Sequence, residues 1–186
     1  EMSRGGSSGA GFETIVAVAG HAAQPHAQAG NTRLKKNQSI LFDWGAAVAG
    51  YRSDLTRCLV AGKIRPAFAE AYQWLLEAQT SAIEAVRPGA SLRRIDDIAR
   101  KALLKSPFGI YEHGTGHGIG LAVHEQPILN RKSKGELCEG MVVTVEPGIY
   151  VPGRFGIRIE DDVLVTARGY RVLSTLAKDL DSCVIG

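Results

Sequence analysis

A chain of 186 residues, 45% hydrophobic and 22% charged, holds about one domain's worth of ordinary globular sequence, which excludes a low-hydropathy disordered polymer. Its net charge of +3 is too weak to imply a nucleic-acid or membrane-surface partner, and no apolar run approaches the ~20 residues that cross a bilayer. Cys58, Cys138 and Cys183 are odd in number, far apart and without a CxxC pair, so free thiols and a reducing, cytoplasmic location are expected. There is no signal peptide, and the first residue, Glu1, is not an initiator Met, which reads as a trimmed N-terminus.

In chain order, the glycine- and serine-rich stretch Gly5 to Gly11 reads as a loop. Thr14 to Val18 is short, apolar and partly β-branched, so a strand is expected there. After a polar, turn-rich stretch, Ser39 to Asp43 gives a second strand and Tyr51 to Val60 a third. Pro66 suits a first helical turn, and Phe68, Tyr72, Leu75, Leu76, Ile83 and Val86 recur at helical spacing up to Pro88-Gly89. Ser91 is the expected cap of a second helix carrying Leu92, Ile95, Ile98, Ala99, Ala102 and Leu103. Short strands are expected again around 121–129, 141–151, 155–166 and 170–174. Strands dominate and helices bunch in the middle, which is an α+β pattern with a curved, mainly antiparallel sheet and helices on one face. Two helices are few for so many strands, so missing sequence or a partner chain is expected to cover the rest. The basic groups Arg33-Lys35-Lys36 and Arg131-Lys132-Lys134 read as solvated loops.

Carboxylates occupy costly places. Asp43 ends the apolar run Ile40-Leu41-Phe42, and Asp54 follows eleven residues later. Glu146 lies in Met141-Val142-Val143-Thr144-Val145-Glu146-Pro147-Gly148, and Glu160 in Gly156-Ile157-Arg158-Ile159-Glu160-Asp161-Asp162. An ionised group in an apolar strand must be paired or bound to a cation. Arg57 and Arg158 could each pair one acid. If all four acids converge, each pair at ~4 Å repels by ~4 kcal/mol at an effective dielectric of 20, more than two arginines can offset. His113, His117 and His124 fall within twelve residues, in the glycine frame His113-Gly114-Thr115-Gly116-His117-Gly118-Ile119-Gly120. Glycines there permit close backbone approach to a site. One imidazole among carboxylates suits Mn²⁺, Co²⁺, Fe²⁺ or Zn²⁺ at two adjacent centres, and paired ions can activate water and polarise a carbonyl, as amide hydrolysis requires.

These ordered motifs, Asp43-Trp44-Gly45, Gly50-Tyr51-Arg52-Ser53-Asp54-Leu55-Thr56-Arg57, His113 to Gly120, Val145-Glu146-Pro147-Gly148 and Gly156 to Asp162, resemble the pita-bread metallopeptidases. Within them the match is closest to the Xaa-Pro peptidases, aminopeptidase P and prolidase, and it spans nearly the whole chain from Phe12. The resemblance implies a pita-bread fold and a dinuclear centre of two divalent ions, Mn²⁺ foremost, with Co²⁺, Zn²⁺ or Fe²⁺ as alternatives. Asp43 would be a terminal ligand of one metal, Asp54 and Glu160 would bridge, and His117 and Glu146 would hold the second. Glu146 would also shuttle a proton to the leaving nitrogen. His124 would steady the oxyanion, His26 would contact substrate and act in catalysis, and His113 would line the pocket. Arg158, bonded to a bridging carboxylate, and Thr56 would form the outer layer that orients the ligands.

The implied function is hydrolysis of peptide bonds preceding proline, by an aminopeptidase or a dipeptidase acting on proline-containing peptides. The alternatives are a non-catalytic pita-bread binding module and a methionine-aminopeptidase-type exopeptidase. Residues 1–186 would then be a partial catalytic domain. The first-half helices and any N-terminal domain are absent, Glu1 to Gly6 reads as the last turn of a preceding helix, and the full-length form is expected to be a homodimer.

Overall fold

The computed structural model describes residues 2–28 and 30–186. Its strands are β1 (Gly9–Ala10), β2 (Ile15–Val18), β3 (Ser39–Trp44), β4 (Ala46–Val48), β5 (Tyr51–Arg52) and β6 (Leu55–Ala61). Two helices follow, α1 (Pro66–Glu84) and α2 (Leu92–Leu103). The chain then forms β7 (Gly116–Gly118), β8 (Glu125–Leu129), β9 (Val142–Val145), β10 (Gly148–Val151), β11 (Phe155–Arg158), β12 (Asp161–Thr166), β13 (Gly169–Val172) and β14 (Val184–Ile185).

Two sheets carry the molecule, one in the order β14-β6-β3-β2 and one in the order β13-β12-β9-β7-β8. A β10-β11 hairpin and a small β1-β4-β5 sheet join them. All pairings are antiparallel except β14 with β6. This is the mostly-sheet, two-helix architecture of the pita-bread fold.

The helices form where periodicity and breakers agree. Pro66 occupies the first turn of α1, where its missing N–H costs nothing. Phe68, Tyr72 and Leu75 then follow at spacings of four and three, with Ile83 about two turns further on, and all are buried, each contributing about 1.5–3 kcal/mol. Phe68 meets Phe155 of β11 edge-on at 5.6 Å between ring centres, which seats α1 under the hairpin. The turn after α1 closes with Gly89 at φ +76°, a conformation glycine adopts without strain.

Several expectations need correction. Ser91 stands at the N-cap of α2, but its side chain makes no capping bond. The expected strand at 121–129 begins only at Glu125, so His124 lies on a loop. The expected third strand breaks at Ser53-Asp54, because the Asp54 amide is bonded to the Asp162 side chain and not to a ladder. Breaks also fall at Glu146-Pro147 and Ile159-Glu160. Where the last turn of a helix and its glycine stop are expected, Met2–Gly5 forms a 3₁₀ turn followed by Gly6 at φ +89°, Glu1 lying outside the described residues. Val16, Val184 and Ile185 on the four-stranded sheet stay exposed, in line with the expectation that two helices leave part of the sheet uncovered.

Candidate metal centre

Both sheets deliver acids to one place. β3 carries Asp43, whose neighbours across the sheet are Ile15 and Thr56. Asp54 sits at the break before β6, its N–H donating to Asp162 Oδ2 at 3.0 Å. From the second sheet come His117 on β7 and Glu146 at the end of β9, whose N–H donates to the Thr115 carbonyl at 2.7 Å. Glu160 lies between β11 and β12, and its N–H donates across to the Thr56 carbonyl at 3.2 Å. These five side chains line a cavity of about 520 Å³, together with His26, His113 and His124. Ligand atoms of Asp54, His117 and Glu160 lie within 4.8 Å of one another.

Two glycines make this approach possible. A Cβ at Gly116 would sit 1.9 Å from the Thr144 carbonyl oxygen, so only glycine lets β7 press against β9 and present His117. A Cβ at Gly45 would sit 1.8 Å from the Ser53 carbonyl oxygen, so glycine also closes the turn between Asp43 and Asp54.

Arg158 organises the acidic side. Nη2 donates to Asp43 Oδ2 at 2.5 Å and Nε to Thr56 Oγ1 at 3.1 Å, while the Thr56 hydroxyl donates to Glu160 Oε2 at 2.5 Å. The expected contact of Arg158 with a bridging carboxylate is therefore indirect. Its direct partner is Asp43, the expected terminal ligand, and Thr56 relays to Glu160. Thr56 is fully buried and does nothing else with its hydroxyl, which fits an orienting part.

The site is overcharged with acid. Burial, then the charges of Asp43 and Glu146, push the Asp54 carboxyl up to about 8. Burial, then Glu146 and Asp54, raise Glu160 well above the usual carboxylate range. Asp43 is also raised by burial, against the pull of Arg158. Glu146 is the exception. Burial works to raise it, but the hydrogen bond from His117, with Arg158 nearby, holds it below its ordinary value.

The histidines divide by role. His117 Nδ1–H donates to the Gly118 carbonyl at 3.0 Å, which aims Nε2 at Glu146 Oε1, 3.2 Å away, and toward Asp54 Oδ2 at 3.9 Å. His113 is spent internally: Nδ1–H donates to the Gly114 carbonyl, and Nε2 accepts from Tyr150 O–H at 2.8 Å. Tyr150 in turn accepts from Arg158 Nη1 at 3.1 Å. His124 is exposed, with its ring centre 4.4 Å from that of His117. His26 is exposed and lines the same cavity.

A divalent cation fits these residues. Asp43 Oδ1 and Asp54 Oδ1 are buried and have no hydrogen-bond partner, a costly condition that a cation relieves. The donor set, carboxylate oxygens and one imidazole nitrogen, suits borderline-to-hard divalent ions.

The sequence reading did not single out Tyr150, Asp162, Asp96 or Arg100. Tyr150 is a phenol in the apolar β10, and Asp162 is the third acid in a row at the start of a buried strand. Those two were visible as anomalies. Asp96 and Arg100 were not, because a charged pair four apart on a helix ordinarily faces water.

Comparison with known proteins identifies the family. Residues 1–167 match the model of metallopeptidase family M24. An uncharacterized peptidase of Staphylococcus aureus is 46% identical over 168 residues, covering 90% of this chain and 48% of that protein. Among solved structures, an X-Pro aminopeptidase from Thermotoga maritima superimposes with a TM-score of 0.94 at 36% identity, over 98% of this chain and 52% of that one. A prolidase from Pyrococcus furiosus gives 0.91 at 38%, over 94% and 52%. An Xaa-Pro dipeptidase from Bacillus anthracis gives 0.94 at 37%, over 98% and 51%. The chain thus spans about half the length of the relatives it matches. With its mostly-sheet fold, its candidate metal-binding group and a match over most of its length, this chain belongs to metallopeptidase family M24.

Proposed function

We propose that this protein hydrolyses the peptide bond preceding proline, using two divalent metal ions, Mn²⁺ foremost. The observation that carries the reading is the convergence of Asp43, Asp54, His117, Glu146 and Glu160 on one cavity, with two of their buried oxygens lacking any protein partner. Asp43 would hold one ion and His117 with Glu146 the other, Asp54 and Glu160 bridging. When bound, such a pair supplies Lewis-acid polarisation of the scissile carbonyl and a water acidic enough to attack at neutral pH.

The chain's own groups do the rest. Glu146, which must be ionised to hold an ion, can take a proton on Oε2 and pass it to the departing nitrogen. That delivery is needed because a proline amine leaves poorly as an anion. Burial, then the charge of His117, lowers the pKa of His124, so a neutral imidazole can donate a hydrogen bond to the developing oxyanion. Phe12, Ile15, Pro25, Val123 and Ile128 give the cavity an apolar wall that can grip a ring by shape. Shape matters because an Xaa-Pro bond offers no N–H to hold. The solved relatives described as X-Pro aminopeptidase, prolidase and Xaa-Pro dipeptidase support this specificity over methionine removal. Three free cysteines suit a reducing compartment, and no helix among the described residues is long and apolar enough to cross a membrane.

The test is cleavage of matched short peptides, with proline or alanine after the scissile bond, by Mn²⁺-loaded protein. Cleavage of the proline series that disappears in Asp54→Asn is expected. Equal cleavage of both series contradicts the specificity, and full activity in Asp54→Asn contradicts the mechanism.

A further inference from the structure

Helix α2 grips the run of chain that leads to His117. Asp96 and Arg100 stand one turn apart on it, 0% and 6% exposed, and Asp96 Oδ2 accepts from Arg100 Nε at 2.7 Å. Every remaining polar contact of the pair lands on residues 111–115, the run leading to His117. Arg100 Nη1 donates to the Tyr111 carbonyl at 2.7 Å and Nη2 to the His113 carbonyl at 2.6 Å, and the guanidinium lies 4.3 Å over the Tyr111 ring. Asp96 Oδ1 accepts from the Thr115 N–H at 3.2 Å and its hydroxyl at 2.7 Å. The Thr115 carbonyl accepts from the Glu146 N–H at 2.7 Å. One helix turn therefore fixes the backbone that carries both His117 and Glu146.

A buried ion pair is a poor source of stability, because desolvation offsets its attraction. What this pair provides is register. The same helix supplies a control: Arg93 and Asp97 have the same spacing, but are 64% and 38% exposed in their side chains, 3.6 Å apart, with no bond to the site. The other acids are held separately, Asp43 and Glu160 through Arg158 and Thr56, and Asp54 through Asp162.

We infer that Asp96 and Arg100 are positioning residues for His117 and Glu146, the two ligands that belong to one ion alone, while Arg158, Thr56 and Asp162 position Asp43 and the two bridging acids. The inference rests on the dinuclear reading above.

The experiment is calorimetric titration of Mn²⁺ into metal-free protein, for the unsubstituted chain, Asp96→Asn, Arg100→Ala, Arg100→Lys and Arg93→Ala, with Co²⁺ absorption spectra and melting curves alongside. Two binding events are expected in the unsubstituted chain and in Arg93→Ala. In Asp96→Asn and Arg100→Ala one event weakens about 10–100-fold, with loss of part of the Co²⁺ spectrum, while the other changes less than about twofold. Arg100→Lys keeps the charge but cannot span two carbonyls, so it falls between, and it serves if Arg100→Ala does not fold. Equal weakening of both events, or a lowered melting temperature with both affinities intact, overturns the positioning inference alone. An unsubstituted chain that binds no metal overturns the dinuclear reading and this inference with it.

Discussion

Asp54 is under electrostatic stress, since its carboxyl is buried beside Asp43 and Glu146 and one of its oxygens bonds to nothing. Its pKa near 8 in the fold, against 3.8 in an unfolded chain, has a definite consequence without metal. Between those values the folded state keeps a proton that the unfolded state has released, so stability falls as pH rises through the window. The metal-free melting temperature should therefore decline from about pH 4 to about pH 8, and saturating Mn²⁺ should flatten the decline by taking the proton's place. A metal-free curve that rises with pH contradicts this. Asp54→Asn removes the charge and should melt higher than the parent above pH 8, by about 2–4 °C per kcal/mol of relieved repulsion, while losing about 10²-fold or more in metal affinity. A variant that melts lower and binds metal normally would show that Asp54 is only a structural acid.

At the scale of elements, the site exists where regular structure stops. Asp54, Glu146 and Glu160 each sit at a strand break, and His117 sits on a three-residue strand pressed to β9 through Gly116. Gly116→Ala should drive a Cβ into the Thr144 carbonyl, costing about 3 kcal/mol or more by chemical denaturation and uncoupling His117 from the site. A loss under 1 kcal/mol would mean that β7 can retreat freely. The helices were legible in the sequence because Pro66, Gly89 and the apolar spacing agree, and the acids were legible because charge in an apolar run is anomalous. The breaks at Glu146 and Glu160 were not, since 141–151 and 155–166 read as continuous strands, whereas the Glu146 and Glu160 amides donate to the carbonyls of Thr115 and Thr56 in other segments. Ser91 holds the expected N-cap position, though its hydroxyl makes no capping bond. For Arg158, sequence order could not tell that its direct partner is Asp43.

Across the whole molecule, the candidate centre is one place where the two sheets meet. Arg57 is another: it donates to the carbonyls of Thr56, Glu160, Leu176 and Ala177 and to the Asp161 carboxylate. It thereby ties β6 to β12 and to the segment before β14. Asp161 also accepts from Gln79 of α1 and from Lys178. Arg57→Ala leaves four carbonyls and a buried acid short of a donor, and should cost about 3–5 kcal/mol by denaturant titration. Intact stability in that variant would mean that the sheets are held elsewhere. Metal joining Asp43 on one sheet to His117 on the other should stabilise the fold by about 2.7 kcal/mol at a hundredfold excess over Kd.

All of this depends on two ions being held by residues from both sheets. The direct measurement is metal content by plasma mass spectrometry after incubation with Mn²⁺ and exhaustive dialysis, for the unsubstituted chain and Asp54→Asn. The account predicts close to two equivalents in the first and a clear loss in the second; no retained metal in the unsubstituted chain, or equal retention in both, would contradict it.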